Sequence, residues 1–233
     1  MNYITLNGKR SLLIKGLLIS ELPPITKPLV RTKIEEVDGR DGDIVTKLGY
    51  AAYDKKMSIG LFGDFNIDDI IEYFDSEGEV IFSNEPDKFY RYKILNQIDF
   101  ERLIRFRTAT VVFHVQPFKY SAVDDVLTYD DLSGSTSISG KNNGNVISRP
   151  EITVYGSGSV NFTINNNSLA LAISTDGYIT LNGETLNAYK GNTLKNRSVT
   201  GNMRNVLLPV GSWSISWTGT VTKIVVKNGS RWI

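Results

Sequence analysis

The residues with the densest chemical potential are Ile34-Glu35-Glu36-Val37-Asp38-Gly39-Arg40-Asp41-Gly42-Asp43. Asp38, Asp41 and Asp43 set carboxylates at calcium-loop-like spacing, and that chemistry would be oxygen ligation of a cation. The template requires oxygen ligands at alternate positions and a closing Glu at the twelfth. Arg40 stands where the second ligand belongs, and no Glu closes the loop. A metal reading therefore fails. What remains is a tight loop shaped by Gly39 and Gly42, with charges around it that cannot form a core.

Other candidate chemistry is thin. His114 is the single histidine and lies in an apolar run, so a structural, half-buried place suits it better than a catalytic one. No G-x-S-x-G elbow exists, since Gly156-Ser157-Gly158-Ser159 has the wrong spacing. No phosphate loop or dinucleotide fingerprint is present. The acidic pairs Asp124-Asp125 and Asp130-Asp131 read as solvated charges, not as carboxylates held across a cleft. With no cysteine, disulfides, thiolate metal sites and cysteine nucleophiles are excluded. We expect no catalytic residue, no metal and no cofactor.

Trp213 and Trp217 carry the last candidate chemistry. In Trp213-Ser214-Ile215-Ser216-Trp217 the tryptophans share one strand face with Ile215. One reading is a sandwich core with an outward serine face. The other is a sugar-stacking platform, which requires that the tryptophan face be exposed.

These residues need elements to hold them. The chain has 233 residues, 41% hydrophobic, with a net charge of +1, so no overall field favours nucleic acid or a membrane. The apolar run at 12–19 is broken by Lys15 and Gly16 and is not a secretion signal. No window reaches the ~18 apolar residues of a membrane helix. Residues 1–120 hold 17 of the 26 Lys+Arg and 18 of the 25 Asp+Glu, while 121–233 are rich in Asn, Ser, Thr and Gly. We therefore divide the chain into domains 1–120 and 121–233, with a junction around 118–133.

Both halves read as mainly β. Asn7-Gly8 between Tyr3-Ile4-Thr5-Leu6 and Leu12-Leu13-Ile14 predicts a two-residue hairpin turn. The hexapeptide Tyr-Ile-Thr-Leu-Asn-Gly returns at 178–183, with different flanks. Further strands are expected at 57–62, 79–83, 90–98 and 106–116. One helix is expected from Ile67, Ile70, Ile71 and Phe74, capped by Asp64 or Asn66 and closed near Gly78. Strands near 151–155, 159–164, 169–173, 178–181, 184–189, 205–208, 213–217 and 221–227 predict a β-sandwich.

Taken in order, these pieces resemble the distal tail protein (Dit, or siphovirus tail component) family of long-tailed, non-contractile phages. The resemblance rests on Val37-Asp38-Gly39-Arg40-Asp41-Gly42, Gly49-Tyr50, Met57-Ser58-Ile59-Gly60-Leu61 and the acidic helix. It continues through Gly78-Glu79-Val80-Ile81-Phe82, Tyr90-Arg91-Tyr92-Lys93-Ile94 and the close Gln116-Pro117-Phe118-Lys119-Tyr120. In the second half it rests on the stretch Asn143 to Ile152, on Leu207-Leu208-Pro209-Val210-Gly211, and on Arg231-Trp232. It implies an N-terminal ring-forming β-rich domain with one helix and a projecting β-hairpin. A C-terminal galectin-like or carbohydrate-module-like β-sandwich would follow it.

It further implies a homo-hexameric ring at the distal end of the virion tail, assembled in the bacterial cytoplasm. Its implied neighbours are the major tail tube protein, the tape-measure protein, and a tail-associated lysin, fibre hub or receptor-binding protein. No nucleic-acid binding and no membrane insertion are implied. Within such a ring we place Gly39, Arg40, Asp41, Gly42 and Asp43 at or near a subunit contact. The alternative is a carbohydrate-binding adhesin that uses Trp213 and Trp217.

Overall fold

The computed structural model describes residues 1–123, 125–173 and 177–233. The chain divides into two compact units, Met1–Ala122 and Val123–Trp232.

In the first unit the strands are β1 (Ile4–Leu6), β2 (Lys9–Arg10), β3 (Leu17–Glu21), β4 (Val30–Glu35), β5 (Ile44–Tyr50), β6 (Tyr53–Leu61), β7 (Glu77–Phe82), β8 (Lys88–Ile94) and β9 (Thr108–Ser121). The helices are α1 (Ile67–Phe74) and α2 (Phe100–Phe106). The main sheet runs β2-β1-β7-β8-β9-β6-β3, and β4 pairs with β5 alone. Thr5 faces Arg10 and Leu6 faces Lys9, so Asn7-Gly8 is the two-residue turn. The returning arm is Lys9–Arg10, while Ser11–Leu13 coil into a 3-10 turn where a strand was expected.

Helix α1 begins at Asn66, whose side chain accepts from the Asp68 N–H at 3.1 Å. It buries Ile70, Tyr73 and Phe74 and leaves Ile71 at the surface. The buried stripe is turned toward Tyr73 because its hydroxyl finds the carbonyls of Ile4 and Lys9, at 3.3 and 3.0 Å. Gly78 lies inside β7 and does not end the helix. A second helix stands where only one was expected. Asp99 caps α2 through the Arg102 N–H at 2.8 Å, and Arg107 ends it in the left-handed region. Along β9, Val111, Phe113 and Val115 are fully buried while Val112, His114 and Gln116 face outward, as their alternation predicts.

In the second unit the strands are β10 (Val126–Tyr129), β11 (Ser137–Asn142), β12 (Glu151–Ile164), β13 (Asn167–Ala172), β14 (Tyr178–Asn182), β15 (Asn187–Lys190), β16 (Thr193–Leu194), β17 (Val199–Thr200) and β18 (Gly211–Lys227). The two long strands, β12 and β18, pair along most of their lengths and serve two half-sheets. One half is β10, the end of β18, the start of β12, then β14, β15 and β16. The other is β11, the start of β18, the end of β12, then β13 and β17. Side chains of both halves enclose one core, among them Ile152, Val154, Phe162, Leu181, Ile215 and Ile224.

The bend between the halves is a pair of register shifts after Tyr155 and Ser157. Glycines make it possible. A Cβ on Gly156 would sit 2.1 Å from the Thr220 carbonyl oxygen, and one on Gly219 would sit 2.4 Å from that of Ser159. Chains this close exclude any side chain.

The repeated hexapeptide closes differently here. Asn182 pairs with Asn187 across a four-residue turn, and its side chain accepts from the N–H groups of Glu184 and Thr185, both at 2.9 Å. Residues 205–208 form no strand beyond the single bridge of Leu208 to Ser148.

Candidate assembly interface

The hairpin of β4 and β5 contributes nothing to either core. Its register sets Ile34 against Val45, Lys33 against Thr46 and Glu35 against Ile44, with a bulge after Arg31. Opposed residues share a face. One face therefore carries Ile34 and Val45 near the tip, then Thr32 and Lys47, with Val30 and Tyr50 nearer the root. The other carries Arg31, Lys33, Glu35 and Ile44. Ile34 and Val45 are 58% and 60% exposed, and Leu29 and Leu48 are exposed too. A two-stranded hairpin is at best marginal in water, and this one also leaves an apolar face uncovered.

Its tip is the loop singled out by the sequence. Gly39 and Gly42 have φ of +78° and +75°, and nothing lies within 4 Å of where their Cβ atoms would be. The backbone conformation, not crowding, is what requires glycine. The Arg40 N–H donates to the Val37 carbonyl at 3.1 Å. Every residue from 35 to 43 is exposed. Among the described residues no group of three or more His, Asp or Glu is gathered in metal-binding geometry.

The root, by contrast, is firmly held. The Ala51 N–H donates to the Leu29 carbonyl at 2.9 Å, and the Tyr50 ring meets Phe118 edge-on with centroids 5.7 Å apart. The strap leading into β4 is tied down by three side chains. Asn84 donates to the Pro23 carbonyl at 3.0 Å, Lys55 to that of Pro24 at 2.7 Å, and Tyr53 to that of Thr26 at 3.4 Å.

Lys55 belongs to a buried polar cluster. Glu85 takes the Lys119 ammonium at 2.7 Å on one oxygen and the Tyr90 hydroxyl on the other. The Lys55 ammonium lies 4.9 Å from the Tyr90 ring centroid and 5.7 Å from that of Phe82. Burial pulls the Lys55 pKa down to about 8, with Glu85 opposing the shift and Lys119 adding to it.

A lysine lowered in the folded state binds fewer protons there than in the unfolded chain, so stability rises with pH through this range. We expect the first unit to gain stability from about pH 8 to about 9.5, by at most about 1.4 kcal/mol per pH unit, the slope of one proton. Hydrogen exchange of β9 amides across that range checks this, and Lys55→Met should flatten the rise. Above it, ionisation of tyrosines in the unfolded chain reverses the trend. Burial holds the Tyr53, Tyr90 and Tyr92 phenols above their usual range in the folded state.

The remaining candidates fall elsewhere. Trp213 and Trp217 are 2% and 4% exposed, which corrects the sugar-stacking assignment. The Trp213 ring packs over Gly140 and its N–H donates to Asn228 Oδ1 at 3.1 Å, so neither tryptophan offers a ring face to a sugar. His114 is half-exposed and pairs with Asp54 across the β6–β9 ladder at 2.8 Å. Asp130 pairs with Lys223 at 2.8 Å. Asp125 is no solvated charge, since it accepts from Asn228 Nδ2 at 2.9 Å and the Ser230 N–H at 3.1 Å. Asp124 lies outside the described residues.

No protein-family model matches this chain, and no curated protein matches it. Solved structures do. The Dit protein of phage SPP1, described as a hub adsorption apparatus in phages infecting Gram-positive bacteria, superposes with a TM-score of 0.69 at 17% identity. The match covers 97% of this chain and 98% of that one. A chain of the phage P2 baseplate in its activated conformation gives a TM-score of 0.52 at 10% identity, over 97% of this chain and 96% of that one. Over nearly its whole length this chain has the fold of a phage distal tail hub protein, the family its sequence resembles.

Proposed function

We propose that this chain is a structural subunit of a phage tail tip, not an enzyme. Six copies close a ring that joins the tail tube to the adhesion apparatus. The observation that carries the reading is the β4–β5 hairpin, anchored at its root yet bare along an apolar face and both edges. Edges and faces left open in this way call for a partner chain. The fold shared with the SPP1 Dit hub protein and a P2 baseplate chain supports the same reading.

In this arrangement residues 1–120 build the ring and 121–233 sit on its periphery as a β-sandwich. Gly39, Arg40, Asp41, Gly42 and Asp43 lie at or beside the contact between copies. The tube and tape-measure proteins adjoin one side, and a lysin, fibre hub or receptor-binding protein adjoins the other. The ring is put together in the host cytoplasm and carried in the virion. The adhesin alternative loses its motivation with the burial of Trp213.

Light scattering and negative-stain microscopy of the purified chain at rising concentration test the reading. Annular particles of six chains are the expected species. A strict monomer at high concentration, together with tails that show no ring, would overturn it.

A further inference from the structure

Resting on the ring reading, we infer that the hairpin of one copy docks on the basic, apolar surface at the opposite end of β6 in the next copy, formed by Phe62, Ile104, Phe106, Arg102, Arg105 and Arg107.

The topology puts the two surfaces at opposite ends of the first unit. The hairpin enters β6 at Tyr53, and Phe62 follows its last residue, Leu61. Nine residues of strand at ~3.3 Å each separate them by roughly 26–30 Å. The pairing of Gly60 with Thr108 brings the end of α2 to the Phe62 end of the sheet. There the Arg107 guanidinium lies 5.0 Å from the Phe65 ring centroid, and Phe62 donates its N–H to the Gly16 carbonyl at 2.9 Å. Phe62 and Phe106 are 73% and 70% exposed, and Ile104 is exposed beside them.

The charges are complementary. Residues 35–43 set Glu35, Glu36, Asp38, Asp41 and Asp43 against the single Arg40, while residues 101–107 set Arg102, Arg105 and Arg107 against Glu101. Glu101 is paired with Arg105 at 2.6 Å, which leaves the helix end cationic. The hairpin's stem carries Arg31, Lys33 and Lys47, with Lys33 paired to Glu35, so it is the acidic tip, with Ile34 and Val45 beside it, that meets a basic surface with apolar side chains at the other end of the unit. Unlike surfaces on one chain make a heterologous contact, the kind that closes a ring when its rotation is right. A partner of other chemistry would not need both halves of the complement on the same chain. Opposed charge sets the register of the contact, and the apolar side chains supply its burial.

The absence of cysteine makes the test clean. Val45→Cys and Phe106→Cys, combined in one chain and treated with a short bismaleimide, should give a ladder of covalent oligomers up to the ring. Either substitution alone should give none. In parallel, Asp41→Arg with Asp43→Arg should weaken assembly at least tenfold, and Arg102→Glu with Arg105→Glu should restore it. Rings in micrographs with neither ladder nor rescue would overturn this docking and leave the ring reading standing. If micrographs show no rings under any condition, the ring reading fails and the docking falls with it.

Discussion

Ile34→Lys combined with Val45→Glu is expected to abolish assembly while leaving the subunit folded. The two positions oppose each other on the bare face of the hairpin, so opposite charges there keep a favourable cross-strand pair. Both side chains are more than half exposed in the single chain, so subunit stability should move by no more than about 0.5 kcal/mol. In the assembly the same side chains would be buried. Burying each is worth about 1.5–3 kcal/mol, and the pair corresponds to at least a hundredfold loss in the contact. Analytical ultracentrifugation reads the loss, and circular dichroism checks the fold. Intact assembly in the double variant would mean that this face is not a contact.

Glu85→Ala should destabilise the first unit by about 3–5 kcal/mol, the usual cost of removing one partner from a buried ion pair. It leaves the Lys119 ammonium without its carboxylate, Lys55 with a buried cation beside it, and the Tyr90 hydroxyl without its acceptor. Glu85→Met with Lys119→Met should recover much of the loss, because an apolar pair of similar volume removes both charges together. All three tryptophans stand at 213, 217 and 232, outside Met1–Ala122. Trp213 and Trp217 lie in the core of the second unit, so with Trp232 replaced by Phe tryptophan fluorescence follows that unit as an internal control, while exchange of β9 amides follows the first. A loss below about 1 kcal/mol, or one shared equally by both units, would show that the cluster is not what holds this sheet together.

The sequence made some elements legible and hid others for physical reasons. Asn7-Gly8 fixed a two-residue turn because local chemistry decides it, and of the two expected caps of α1, Asp64 and Asn66, it is Asn66 that starts the helix. The identical hexapeptide at 178–183 turned over four residues, since the Asn182 side chain captured the turn's backbone N–H groups. Helix α2 escaped notice because seven residues with a single buried Leu103 give no periodic stripe.

That Trp213, Ile215 and Trp217 share one face followed from alternation, but that this face meets the core did not. The loop at 34–43 stood out by composition alone. That Ile34 and Val45 lie bare was not legible, because apolar residues in a strand normally imply burial. Nor was the Lys55–Glu85–Lys119 cluster, whose members are separated by some thirty residues each and meet only through strand order.

We propose that this chain forms the ring at the distal end of a phage tail. Cryo-electron microscopy of assembled tails bearing a small tag at the chain's C-terminus tests it most directly. Six tag densities around the tube axis at the tail tip are expected, with the hairpin of each copy lying against the next. Tag density spread along the tube, or missing from the tip, would contradict it.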